Sequence, residues 1–424
     1  MTRPPMNIAV LASGSRGDVQ PYAALARGLQ AAGHAVRLIA PEPFAALARE
    51  AGVAFWPLRG DLQAVLDSPE LHALLERGNF LAINRYTARF AEEGAVQRAE
   101  DGLRAAQGMD LLITGLGGLF GALGLAEKLD IPLVQAHVFP FTPTAAFPGV
   151  LVPPGVGRLG GLANRLSHGL LRRMMWLGVR RADTLARTQV LGLPPLPARG
   201  PYRSARLKQF PALYGFSPAV IAPPPDWAGR AVVTGFWFLD PAPDWAPPPD
   251  LVAFLDAGPA PVYVGFGSMG SRDPQATAAL VLGALRRVGQ RAVLPAGWSD
   301  LTDGGEDIYF APALPHAWLL PRMAATVHHG GAGTTAAALR AGVPNTVVPF
   351  FGDQPFWGSR VAALGAGPRP IPRRGLSEEG LVAALRAMLS DTGMRERAAA
   401  LGERVRAEDG VADAVQMIER LTGR

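Results

Sequence analysis

The 424-residue chain contains no cysteine. Disulfides, thiolate metal sites and cysteine nucleophiles are therefore excluded. Lysine is almost missing as well: Lys128 and Lys208 stand alone, so the net charge of +6 is an arginine charge. The arginines are dispersed, with no basic stretch interleaved with aromatics. That argues for compositional bias and against a nucleic-acid partner. Long hydrophobic runs are absent too. The apolar run 8–12 is too short for a leader core and leads into Arg16 and Asp18. The uncharged stretch after residue 111 is interrupted by Glu127, Lys128 and Asp130, and 131–157 is broken by prolines. None reaches the roughly 20 apolar residues of a spanning helix, so a soluble, cytoplasmic protein is expected. No Asp-x-Asp pair occurs, and no metal is expected.

What remains is 49% hydrophobic and long enough for two or three domains. The first part alternates short apolar runs with helical periodicity: strands at 8–11, 35–39, 53–56, 111–114 and 133–137, and helices at 21–32, 43–50, 70–77, 85–106 and 118–129. That rhythm predicts a parallel sheet with helices on both faces. Residues 159–191 read as a long helical stretch carrying Arg172, Arg173, Arg180 and Arg181. It is either a helix packed on the first domain or an acceptor wall, with contact to a membrane surface as a separate alternative. Proline clusters at 223–225 and 241–249 bracket a strand at 231–234. The rhythm then resumes with strands at 262–265, 291–294, 308–310, 325–327 and 345–348.

Residues 324–361 organise the chain. An apolar run ends in His328 and His329, followed by Gly330, Gly331 and Gly333 and an alanine-rich helix beginning near Thr334. This strand, glycine turn and helix N-terminus can aim backbone N–H groups and the helix dipole at an anion. A second strand leads to Asp353 and Gln354. Ligands in open α/β sheets sit beyond the carboxyl ends of strands. One crevice would thus receive phosphate donors and a carboxylate–amide pair suited to sugar hydroxyls. Structural alternatives stay open: His328 satisfied at a strand end, and Asp353–Gln354 as a helix cap.

The spaced pattern HHGGAGTT…GVP…P…DQ resembles the donor signature of nucleotide-sugar glycosyltransferases of the GT-B fold. It is most similar to the branch holding sterol glucosyltransferases and glycopeptide-antibiotic tailoring enzymes. The resemblance implies an α/β fold: two Rossmann-like domains facing each other across a cleft, with a C-terminal helix crossing back. It gives an acceptor domain at 1–222, a proline-rich linker at 223–250, a nucleotide-sugar domain at 251–408 and a returning helix at 409–424. It implies that His328 and the backbone of Gly330, Gly331, Gly333 and Thr334 hold the diphosphate. It also implies a second phosphate contact from Gly267 and Ser268, which otherwise form a plain βα turn, and that Asp353 and Gln354 hold the sugar. Plant relatives stack the base on a Trp where this chain has Ala313, so backbone near Leu314 is left to read the base, and UDP versus TDP stays open.

Attack by a hydroxyl on an anomeric carbon needs a proton acceptor. Asp18, just beyond the first strand, either caps the following helix or serves as that base. The stretch GSRGDVQP resembles the loop where this branch carries its catalytic Asp. Plant members use a His there, and this chain has none between Met1 and Gln30. Arg16 is a candidate partner for Asp18 and a candidate acceptor contact. His137, at a strand end, is either an acceptor contact or a core residue. The resemblance therefore implies metal-independent, inverting transfer of a hexose from a UDP- or TDP-sugar to a lipophilic hydroxyl acceptor, with no cofactor. Two rival readings fit the residues less well. A dinucleotide oxidoreductase would need Gly-x-Gly-x-x-Gly after the first strand, which Ser13–Asp18 does not supply. An inactive accessory protein should have lost the base or the donor signature.

Overall fold

A computed structural model describes residues 4–60, 68, 70–71, 74, 80–242, 244–266, 274–301 and 305–423. The chain divides into two compact units, Met1–Leu239 with Glu408–Arg424, and Asp240–Ala407.

The first unit holds seven strands: β1 Asn7–Leu11, β2 Ala35–Pro41, β3 Ala54–Leu58, β4 Leu111–Thr114, β5 Leu133–His137, β6 Ala212–Tyr214 and β7 Ala231–Val233. They form one parallel sheet in the order β3-β2-β1-β4-β5-β6-β7. Ile8, Val10, Leu38, Ile39 and Leu111–Ile113 are fully buried. Such unbroken apolar strands are what a sheet covered on both faces demands. The order reverses between β1 and β4, where Leu11 pairs with Thr114, so the loops after these two strands leave a gap at their carboxyl ends.

The covering helices are α1 Arg16–Ala31, α2 Ala45–Glu50, α3 Phe80–Glu93, α4 Ala95–Ala106, α5 Leu119–Leu129 and α6 Gly161–Leu185. Helix α1 starts five residues before the expected position, with Pro21 inside it rather than in its first turn. Ser15 and Asp18 set the start by a capping box, a stronger signal than the proline. The helix expected over 85–106 is two helices broken at Gly94. The one expected at 70–77 lies largely outside the described residues. The strand anticipated inside the proline-rich segment is β7, an edge of this sheet.

The second unit holds β8 Val262–Gly265, β9 Ala292–Pro295, β10 Ile308–Ala311, β11 Ala325–His328 and β12 Asn345–Val347, all parallel, in the order β10-β9-β8-β11-β12. Its helices are α7 Pro249–Asp256, α8 Pro274–Val288, α9 Ala332–Ala341, α10 Gln354–Ala363, α11 Glu378–Ser390 and α12 Thr392–Arg406. Val262, Val264, Val281, Leu285, Ala325, Val327, Leu381 and Leu385 make its core. The order again reverses at the first strand, with His328 opposite Gly265 at the carboxyl ends of β11 and β8. The last helix, α13 Gly410–Leu421, packs on α1 in the first unit, where Glu419 lies 3.5 Å from His34.

Candidate active site

In the first unit, the loops following β1, β4 and β5 enclose a cavity of about 290 Å³. Ser13, Gly14, Asp18 and Tyr22 line it from the β1 side, Gly115 and Gly117 from the β4 side, and His137 from the end of β5. Met175 reaches in from α6. The β1 and β4 loops meet backbone to backbone: any Cβ on Gly117 would collide with the Ser13 carbonyl. Asp18 and His137, separate candidates in the sequence, are thus brought to one cavity.

Asp18 is the third residue of α1. Its Oδ2 accepts the Ser15 N–H and the Ser15 hydroxyl, each at 2.9 Å. Burial pushes its carboxyl above the usual value of 3.8, against the pull of the two Ser15 bonds. The Arg16 pairing does not form. Arg16 is exposed and its Nε donates to Gln20 Oε1 at 3.0 Å. A guanidinium would have held the carboxylate ionised; without it, lost hydration governs, and Asp18 becomes a better proton acceptor. Beside it the Tyr22 hydroxyl donates to the Ala136 carbonyl at 2.6 Å, and burial plus the Asp18 charge keep that phenol neutral.

His137 is 1% exposed, and among the described residues neither ring nitrogen has a hydrogen-bond partner. Burial, helped by the Arg172 charge, pushes it down to about 3. It is therefore a neutral imidazole with an unspent donor and acceptor. At so low a pKa it is a poor base.

In the second unit, β11 ends at His328 and α9 begins at Ala332. Gly330 turns the chain at φ +90°, and a Cβ there would strike Val347; only glycine fits. The first backbone bond of α9 runs from the Thr335 N–H to the Gly331 carbonyl at 2.9 Å. The N–H groups of Ala332, Gly333 and Thr334 precede it and have no intrahelical acceptor. No side chain caps this end, and its first turn holds no acid. By contrast, Ser377 caps α11 and Asp391 caps α12. The open end, with the half-buried Thr334 hydroxyl, suits an anion.

His328 sits at the carboxyl end of β11. It is fully buried, and its Nδ1 accepts the Gly330 N–H at 3.1 Å. The proton accordingly sits on Nε2, which faces Asn345 Oδ1 at 3.3 Å. Both nitrogens serve the fold, and burial pushes the ring down to about 3. His329 is likewise pushed down, to about 4, by burial and the His316 charge.

Asp353 and Gln354 begin α10, and the Gln354 backbone lies against the Gly330 turn. Gln354 Oε1 accepts the N–H groups of Phe350 and Phe351 at 2.7 and 3.1 Å. Asp353 Oδ2 accepts the Trp357 indole N–H at 2.7 Å. These bonds fix the pair beside the turn. Leu314 follows β10 and packs on the cluster around Leu251 and Val293. Gly267 and Ser268 lie outside the described residues. Among the described residues no cluster of His, Asp and Glu suits a metal ion. Sequence reasoning missed Tyr22, Gly115, Gly117 and Met175. Gly115–Gly118 directly after a strand was a usable signal for two of them; nothing local marks Met175.

Residues 8–148 match the glycosyltransferase family 28 N-terminal domain, and residues 280–421 match the erythromycin biosynthesis protein CIII-like C-terminal domain. The chain is 39% identical to the O-mycaminosyltylonolide 6-deoxyallosyltransferase of Streptomyces fradiae, over 98% of this chain and 97% of that one. It is 37% identical to a sterol 3-beta-glucosyltransferase of Arabidopsis thaliana, over 97% of this chain but only 65% of that longer protein. The spinosyn rhamnosyltransferase complexed with thymidine diphosphate superposes with a TM-score of 0.64 at 21% identity, covering 98% of this chain and all of that one. Likeness of this depth along nearly the whole sequence makes the chain a member of the GT-B nucleotide-sugar glycosyltransferases, in the branch of sterol glucosyltransferases and antibiotic sugar transferases.

Proposed function

We propose that the chain transfers a hexose from a UDP- or TDP-sugar to a hydroxyl of a lipophilic acceptor, without a metal and with inversion. The observation that carries this reading is that Asp18 and the unspent His137 line one cavity. The acceptor hydroxyl hydrogen-bonds to neutral His137 and gives its proton to Asp18 as it attacks the anomeric carbon. Among the described residues, Asp18 is the only carboxylate lining the cavity. One base without a second carboxylate nucleophile favours a single displacement, hence inversion. The open N-terminus of α9, with Thr334, stabilises the departing diphosphate by fixed dipoles. His328 acts as a positioning residue that holds the Gly330 turn, and Asp353 and Gln354 orient the sugar hydroxyls. The apolar share of the cavity wall, with Met175, suits a sterol or polyketide skeleton better than a polar acceptor.

The test is a panel of UDP- and TDP-sugars, each assayed with sterol and polyketide alcohols, with the anomeric configuration of product read by proton NMR. A β-glycoside from an α-linked donor, formed in the presence of excess chelator, is expected. A product that retains configuration, or transfer that stops on chelation, overturns the corresponding part.

A further inference from the structure

Helix α6 exposes an unbroken apolar stripe. Leu162, Leu166, Leu170, Met174 and Leu177 recur at intervals of three or four, each 40–74% exposed, and Leu159, 75% exposed, lies in the turn before the helix. At 1.5 Å per residue the helical stripe is about 22 Å long. Scattered exposed leucines need no explanation; a continuous row of this length does. The opposite face, with Asn164, Ser167, His168, Leu171 and Trp176, is buried. The helix therefore has one face for the fold and another left bare.

The exposed charges that the helix itself carries are of one sign. Arg158, Arg165, Arg173, Arg180 and Arg181 are exposed along it, and the one acid on the helix, Asp183, is buried. Arg165 pairs with Asp226 at 3.1 Å and Arg181 lies 4.0 Å from Glu92. Arg158, Arg173 and Arg180 make no ion pair among the described residues. A second copy of this chain is a poor occupant. Twofold pairing would set the same arginines against each other on chains of net charge +6. An anionic bilayer surface meets both features: acyl chains for the leucines, headgroups for the guanidinium groups. Crossing is not at issue, since no described helix is long and apolar enough to span a membrane.

We propose that α6 lies flat on an anionic lipid surface. Met175, next to exposed Met174, lines the Asp18 cavity, so docking brings the cavity beside the lipid phase that dissolves its acceptor. The purpose rests on the proposed transfer of sugar to a lipophilic alcohol; the docking itself does not.

The test is cosedimentation of the full chain with vesicles, with neither donor nor acceptor present. Strong binding is expected to equimolar phosphatidylglycerol and phosphatidylcholine, and weak binding to phosphatidylcholine alone. The triple variant Leu162→Glu, Leu166→Glu, Leu170→Glu should reduce partitioning at least about tenfold, with an unchanged melting temperature because these side chains contact solvent. Arg173→Gln with Arg180→Gln should cost about fivefold per charge, on the anionic vesicles only. The proposal is overturned by absent binding to both vesicles, by binding that the triple variant leaves intact, or by a dimer in light scattering that the triple variant dissociates. Transfer to a detergent-dispersed acceptor should survive in the triple variant, so failure of docking and failure of the transfer reading are told apart.

Discussion

Two segments of this chain are built alike and finished differently. After β1, and again after β11, a buried strand runs through a glycine-containing turn into a helix N-terminus. The first three residues of α1 are Arg16, Gly17 and Asp18; those of α9 are Ala332, Gly333 and Thr334. In α1 the third position carries a carboxylate bonded back to Ser15, so the positive end of the helix dipole is already occupied. In α9 the third position is a neutral hydroxyl and the end is left bare. One scaffold thus yields either a helix start closed by its own carboxylate or one left open, with a different side chain at the third helix position.

The hardest way to break the comparison is to remove the charge from the first turn. Asp18→Asn keeps the size and an acceptor for the Ser15 N–H but abolishes basicity. Transfer should fall about 10²–10⁴-fold, while calorimetric affinity for the nucleotide sugar stays the same. The sign for stability is opposite. Burial raises the Asp18 pKa in the fold, so the ionised form opposes folding once the pH exceeds that raised value, and the opposition vanishes below the ordinary carboxylate value. The variant should therefore melt no lower than the parent at neutral pH, its advantage fading on acidification. A variant that loses both fold and activity would make Asp18 a cap and nothing more.

The second test makes the two turns alike. Thr334→Asp places a carboxylate where α1 has Asp18. The helix gains roughly 0.3–1 kcal/mol from its own dipole, yet the diphosphate now meets a like charge. Nucleotide affinity should drop about tenfold to a hundredfold, with a melting temperature equal to or above the parent's. Tight binding retained in this variant would move the anion seat elsewhere.

His137→Phe separates the unspent imidazole from its packing. Both ring nitrogens are buried without partners, so an apolar ring of similar shape should not weaken the fold. The KM for the acceptor alcohol should rise by roughly fivefold to thirtyfold, as for one lost hydrogen bond of about 1–2 kcal/mol. Donor KM should not move. Gly330→Ala acts on the geometry of the bare turn. Its φ of +90° and the nearby Val347 should cost about 1–3 kcal/mol, read as a lower melting temperature together with weaker nucleotide binding.

How far these turns were legible beforehand depends on the range of the interaction that makes them. Strand cores such as 111–114 and 133–137 match residue for residue, because continuous burial selects apolar side chains locally. The His328–Thr334 turn was legible because glycines and a helix start leave marks within a few residues. The start of α1 was misread: Pro21 is a conspicuous signal, while the Ser15–Asp18 capping box prevails by closing two bonds. The tautomer of His328 was beyond reach, since Asn345, seventeen residues away, holds its other nitrogen. The same holds for the cavity wall, which gathers Asp18, Gly117, His137 and Met175 from four parts of the chain. Only the sheet order makes them neighbours.

The finest adjustment lies in how strongly α1 holds its own carboxylate. Ser15 gives Asp18 Oδ2 two hydrogen bonds, and both lower a pKa that burial raises. Ser15→Ala removes the hydroxyl and keeps the backbone bond. The helix should lose about 1 kcal/mol, and the Asp18 pKa should climb further because one stabilising donor to the carboxylate is gone. Transfer needs the ionised form, so the acidic limb of the pH–rate profile should move to higher pH, with the plateau rate equal to or above the parent's. The histidines cannot produce that shift: His137, His328 and His329 are held near 3, 3 and 4, and none gains a charge between pH 5 and 8. An acidic limb that stays in place in this variant would show that the titrating group is not the carboxylate at the third position of α1.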